Sequence, residues 1–74
     1  MSTNQNEKLT LEIANKLKEI RLKKSLTQTD VAKKAGINSN YYSKVERGEA
    51  KPSVVTIEKI TKALGITSSE ILPF

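Results

Sequence analysis

The side chains best equipped for chemistry are amides, hydroxyls and cations gathered between positions 38 and 51, and what they offer is recognition by hydrogen bonding. The run Ser39-Asn40-Tyr41-Tyr42-Ser43-Lys44-Val45-Glu46-Arg47 has a helical period. At about 100° per residue, Tyr42 and Val45 turn inward while Asn40, Lys44 and Arg47 turn outward. Ser43 lies on one flank with Ser39, and Tyr41 lies on the other. The outward set suits base edges: Asn pairs with adenine, Lys donates to guanine, and Ser serves either. Arg47, Tyr41 and Lys51 are better placed for phosphates. Gln28 and Thr29 sit at the start of the preceding helix, where backbone dipoles favour an anion. Taken singly, each of these residues is better accounted for by plain solvation. Their convergence on one element is the signal.

Other chemistries find little support. The chain has no cysteine and no histidine, so disulfides, thiolate chemistry and the usual metal ligands fall away. The commonest general base at neutral pH goes with them. Glu12, Glu19, Glu58 and Glu70 occupy exposed helical positions, and no P-loop, Rossmann or metal-binding spacing occurs. The expectation is a non-enzyme without cofactor or metal. Nothing resembles a signal peptide or a membrane span, so a cytoplasmic protein is expected.

Charge points the same way. Of 13 basic and 8 acidic residues, positions 1–26 carry six and three, positions 27–52 five and three, and positions 53–74 two and two. The whole excess of +5 lies in the first two thirds of the chain, as it would to meet a polyanion.

The elements that position these groups follow from caps and apolar spacing. Residues 1–8 lack an apolar period and are expected to form a flexible tail, leaving residues 9–74 as one domain. Ile13, Leu17 and Ile20 share a helical face running to about Lys24. Thr27 and Asp30 have capping-box spacing before Val31, Ala32 and Ala35, and Gly36 stops that helix. Asn38 caps the third helix, which Gly48 closes. Ser53 caps a fourth, lined by Val54, Ile57, Ile60 and Leu64 and ended by Gly65. Thr67 and Glu70 frame a last short helix before Pro73. The prediction is an all-α fold: a five-helix bundle with a helix-turn-helix at its centre.

The segments Leu26-Thr27-Gln28 to Ala32, Gly36-Ile37, Tyr42-Ser43-Lys44-Val45-Glu46-Arg47-Gly48 and Ala63-Leu64-Gly65-Ile66 resemble the Cro and lambda-repressor family of helix-turn-helix regulators. The resemblance covers about Ile13 to Leu72. It implies a compact domain that binds operator DNA, usually as a homodimer on inverted repeats. By position, Gln28 matches the glutamine that grips a phosphate and braces the recognition helix, and Ser39, Asn40, Ser43 and Lys44 match the base-reading positions. Ser39 departs from the longer glutamine frequent there, and serine is too short to lie against Gln28 and reach a base at once. Asn40 and Lys44 therefore carry more weight. The resemblance also implies an ion pair between Arg21 and Glu46, each at the edge of an inward face.

Three roles fit such a domain: a repressor, a restriction–modification controller, and an antitoxin whose toxin partner is primary. A sensor domain in a longer protein is a further partner to consider, as is a protein-interaction module that lost DNA binding. Val55, Ile71, Leu72 and Phe74 are the candidates for a dimer contact, with Ile71 and Leu72 more readily accounted for as closing the core.

Overall fold

The computed structural model describes residues 5–73. Four α-helices, α1 (Gln5–Lys23), α2 (Gln28–Ala35), α3 (Ser39–Glu46) and α4 (Val54–Leu64), are followed by a single 3₁₀ turn, Ser68–Glu70. Among the described residues there is no strand. Two expectations need correction. The fifth element is a turn of 3₁₀ helix, because Thr67–Glu70 is followed at once by the buried anchor Ile71 and has no room for a second turn. The first helix begins at Gln5, so residues 5–8 belong to α1 and not to a tail. Leu9 and Ile13 tie that early turn to the core; the rest of the expected tail lies outside the described residues.

Each helix is stopped by the chemistry around it. Leu26 N–H returns to the Arg21 carbonyl at 3.2 Å across Ser25, which sits at φ +57°. That left-handed conformation costs an ordinary L-residue about 1–2 kcal/mol. Here the Leu26 carbonyl is pinned in turn by Arg21 Nη1 at 2.7 Å. Thr27 Oγ1 then accepts from Asp30 N–H at 3.0 Å, while the Asp30 carboxylate accepts from Thr27 N–H at 2.9 Å, a complete capping box. Hydrogen bonds from Thr27 hold the Asp30 carboxyl below its usual pKa. Gly36 closes α2, and Ile37 N–H reaches back to the Ala32 carbonyl at 3.0 Å. Asn38 Oδ1 caps α3 by accepting from Asn40 and Tyr41 N–H.

The core is assembled where the four helices meet. Leu17 from α1, Val31 from α2, Tyr42 and Val45 from α3 and Ile60 from α4 are fully buried, with Ile13, Leu64 and Ile71 around them. Burying such side chains contributes roughly 1.5–3 kcal/mol each. The α2 helix packs on both α3 and α4, and α1 packs on α3. The connection between α2 and α3 is only Gly36–Asn38. Its shortness fixes the angle at which α3 leaves the body.

One apolar residue of α4 departs from its expected place. Val54, expected to face inward, is 82% exposed, because it is the first residue of the helix and stands on the rim of a shallow depression shared with Leu9, Pro52, Ile57 and Leu72. Ile71 by contrast is buried in the core.

Gly48, just past α3, has φ +77°, and a Cβ there would lie 2.6 Å from Leu11 Cδ2. Leu11 is a half-exposed side-chain tip that can rotate away, so backbone strain dominates the cost. Gly48→Ala is expected to lower stability by about 1–2 kcal/mol, read from the midpoint of urea unfolding. An unchanged midpoint would show that the chain re-forms this turn without strain.

Candidate nucleic-acid interface

The recognition surface is built outward from a buried ion pair. Arg21 and Glu46 are 8% and 5% exposed. Arg21 Nη2 lies 2.7 Å from Glu46 Oε1 and Nε lies 2.8 Å from Oε2, a two-pronged pairing. The expected bridge between the first and third helices is present. It extends further than the spacing suggested. Arg21 Nη1 donates to the Leu26 carbonyl just before the Thr27 cap. Gln28 Nε2 donates to Glu46 Oε1 at 3.1 Å, and Ser43 Oγ donates to Gln28 Oε1 at 2.7 Å. Four side chains from three helices therefore share one hydrogen-bonded chain.

Its electrostatics follow from burial and pairing. Burial works to raise the Glu46 carboxyl pKa, but hydrogen bonds led by those of Arg21, with Gln28 contributing, outweigh it and hold the group below the usual carboxylate range. Glu46 in turn raises the already high pKa of Arg21, so the guanidinium stays charged. Tyr42 packs close by; its hydroxyl is buried without a hydrogen-bond partner among the described residues. Burial foremost, then the Glu46 charge, push that phenol well above its ordinary pKa.

The network carries the exposed face of α3. Ser39, Asn40 and Lys44 are exposed on it, as expected. Ser43, expected among the base-reading residues, is half-buried with its hydroxyl turned toward Gln28. The brace on Gln28 thus comes from Ser43 and not from Ser39. The reason is geometric: residue 43 is one turn further along α3, on the flank that meets the start of α2. Gln28 and Thr29 occupy the first two positions of α2, with Thr29 exposed. Tyr41 is half-buried and Lys51 exposed.

Arg47, the proposed phosphate ligand at the end of α3, is already engaged. Its Nε lies 2.8 Å from Glu49 Oε2, both side chains being about half exposed. Their mutual hydrogen bonding raises the Arg47 pKa and lowers that of Glu49. The sequence reading missed this partner, although Glu49 stands only two positions away. Exposed pairs of this kind are weak and screened by salt. Among the described residues no three or more acidic side chains cluster so as to hold a metal ion, and no helix is long and apolar enough to cross a membrane.

A short turn, a locked inner face and a polar outer face define a helix-turn-helix domain. The helix-turn-helix family model matches residues 17–71, and the chain belongs to that family. Within it, the chain is 39% identical over 64 residues to the control protein C.MunI of a Mycoplasma species, covering 85% of this chain and 86% of that protein. It is 37% identical over 60 residues to the immunity repressor of Bacillus phage phi105, covering 81% of this chain but only 42% of the repressor. The crystal structure of the restriction–modification controller C.AhdI from Aeromonas hydrophila superposes with a TM-score of 0.83 at 33% identity, covering 85% of this chain and 96% of that one.

Replacing Glu46 by Gln leaves a buried guanidinium without its counter-charge. The expected loss at pH 7 is about 3 kcal/mol, the lower end for a broken buried pair because glutamine keeps one acceptor. The sign of the pH effect follows from the lowered carboxyl pKa. Glu46 stabilises the fold fully above the ordinary carboxylate value, and this contribution is lost as pH falls through its depressed one. Thermal melts from pH 7 to pH 2 are expected to show a shallower acid limb in Glu46→Gln than in the wild type. The limb persists in part, since Asp30 and Glu49 are depressed as well. Parallel limbs would mean that Glu46 is not held as an ion pair.

Proposed function

We propose that this protein is a transcriptional regulator of the repressor type that binds double-stranded DNA sequence-specifically, with α3 as its recognition helix in the major groove. The observation that carries the reading is the exposed row Ser39, Asn40 and Lys44 on a helix whose opposite face is fixed by Tyr42, Val45 and the Arg21–Glu46 pair. A groove-reading helix needs such rigidity, because bidentate base contacts fail when donors shift by a fraction of an ångström. Asn40 and Lys44 take the base edges, with Ser39 beside them at the end of α3 nearest the α2–α3 turn. Gln28, Thr29, Tyr41, Arg47 and Lys51 take phosphates and so set register on the duplex. The relatives support the reading at the level of class: one is named a control protein, another an immunity repressor.

We infer that the active form is a homodimer on an inverted repeat, the two α3 helices entering successive major grooves about 34 Å apart. Val55 is 62% exposed beside the still more open Val54, which gives a two-fold contact apolar area. Ile71 closes the core, as the sequence favoured, and Phe74 lies outside the described residues.

The test is selection of bound duplexes from a random pool at near-physiological salt, with the wild type and with Asn40→Ala. The wild type is expected to enrich an inverted repeat, and Asn40→Ala to lose preference at one symmetric pair of positions, worth about 1–3 kcal/mol per contact. Salt-sensitive binding with no enriched motif would reduce the surface to a general polyanion binder.

A further inference from the structure

The hydrogen bonds around Gln28 have a direction, and that direction decides what Ser43 can do. Arg21 cannot lose its proton, so Glu46 is held as a carboxylate that only accepts. The Gln28 amide must therefore turn its nitrogen to Glu46, 3.1 Å away, since the reverse would set an amide oxygen against a carboxylate. The amide oxygen is then left facing Ser43 Oγ at 2.7 Å, which obliges the serine hydroxyl to donate. A hydroxyl has one hydrogen. Ser43 has spent its hydrogen inside the protein and has none to offer to guanine O6 or N7, adenine N7 or thymine O4; its remaining lone pairs sit on a half-buried hydroxyl turned toward Gln28, away from the exposed row of Asn40 and Lys44.

Gln28 gains what Ser43 gives up. With one Nε2 hydrogen on Glu46 and its oxygen on Ser43, the amide is fixed at two points. Its second Nε2 hydrogen is left uncommitted at the first position of α2. An amide locked in this way loses little further rotamer freedom on meeting a phosphate oxygen. We propose that Ser43 is a positioning residue for Gln28 and reads no base itself: it acts on DNA affinity through the amide it orients. This assignment rests on the DNA-binding reading above and replaces base recognition at position 43 with support of a backbone contact.

The test is a double-mutant cycle in DNA binding. Wild type, Ser43→Ala, Gln28→Ala and the double variant are titrated against the duplex selected by the wild type and against its single-base-pair variants. Measurements are made below the melting onset of every variant, so that all are folded. Ser43→Ala is expected to weaken binding about three- to tenfold, the loss of one net hydrogen bond. The factor should be the same for every duplex, leaving the base preferences intact. The double variant should bind no more weakly than Gln28→Ala alone, because Ser43 has no role once Gln28 is gone; a residue that merely supported the helix would weaken binding in both backgrounds. Loss of discrimination at one base pair in Ser43→Ala, losses that multiply in the double variant, or wild-type affinity in Ser43→Ala would each overturn the assignment. A wild type that selects no duplex at all would overturn the DNA-binding reading itself, and the assignment with it.

Discussion

Everything that makes α3 usable depends on one buried pair, Arg21 with Glu46. Helices of eight residues, such as α2 and α3, are too short to persist alone. Their stability comes from what they pack against. The pair joins α1 to α3, and through the Leu26 carbonyl and Gln28 it also holds the end of the α1–α2 connection and the first residue of α2. A salt bridge this buried is a poor source of net stability, since removing both charges from water costs as much as the attraction returns. What it gives is a geometry with one solution. An apolar contact at the same place could slide; a two-pronged guanidinium–carboxylate pair cannot without leaving charges unpaired.

Much of this architecture was legible from the sequence. The caps Thr27, Asn38 and Ser53 were identifiable because their side chains do one job at one place, and each is found doing it. The inward faces of α2 and α3 followed from spacing. What spacing could not give was the start of α1 and the length of the last element. The polar residues of the first turn carry no period, and a 3₁₀ turn has the same capping signal as an α-helix that continues. Val54 misled for a related reason: a helical period says which face is apolar, not whether anything lies over its first turn.

The site was legible as a set of residues but not as a set of contacts. Asn40 and Lys44 project from α3 as their positions implied. The role of Ser43 was hidden because its partner, 15 positions away, is specified by how α2 docks on α3. The Arg21–Glu46 pair, 25 positions apart, came from family resemblance combined with both residues lying at the edge of apolar faces. Edge charges are a readable clue to burial; direction of donation along a chain of hydrogen bonds is not, since it emerges only when every member is in place.

The pairing of Arg47 with Glu49 shapes how a polyanion is felt at a distance. A lone cation on the end of α3 would act as a monopole, its pull limited only by ionic screening over about 8–10 Å. Bound to a carboxylate at 2.8 Å, it behaves as a dipole whose field fades much faster. In the proposed complex, long-range attraction is left to lysines such as Lys44 and Lys51, while Arg47 would contribute only once a phosphate is close enough to take the place of Glu49. On the proposed DNA-binding reading, Arg47, the residue that caps α3, is in this sense silent during approach and active on contact.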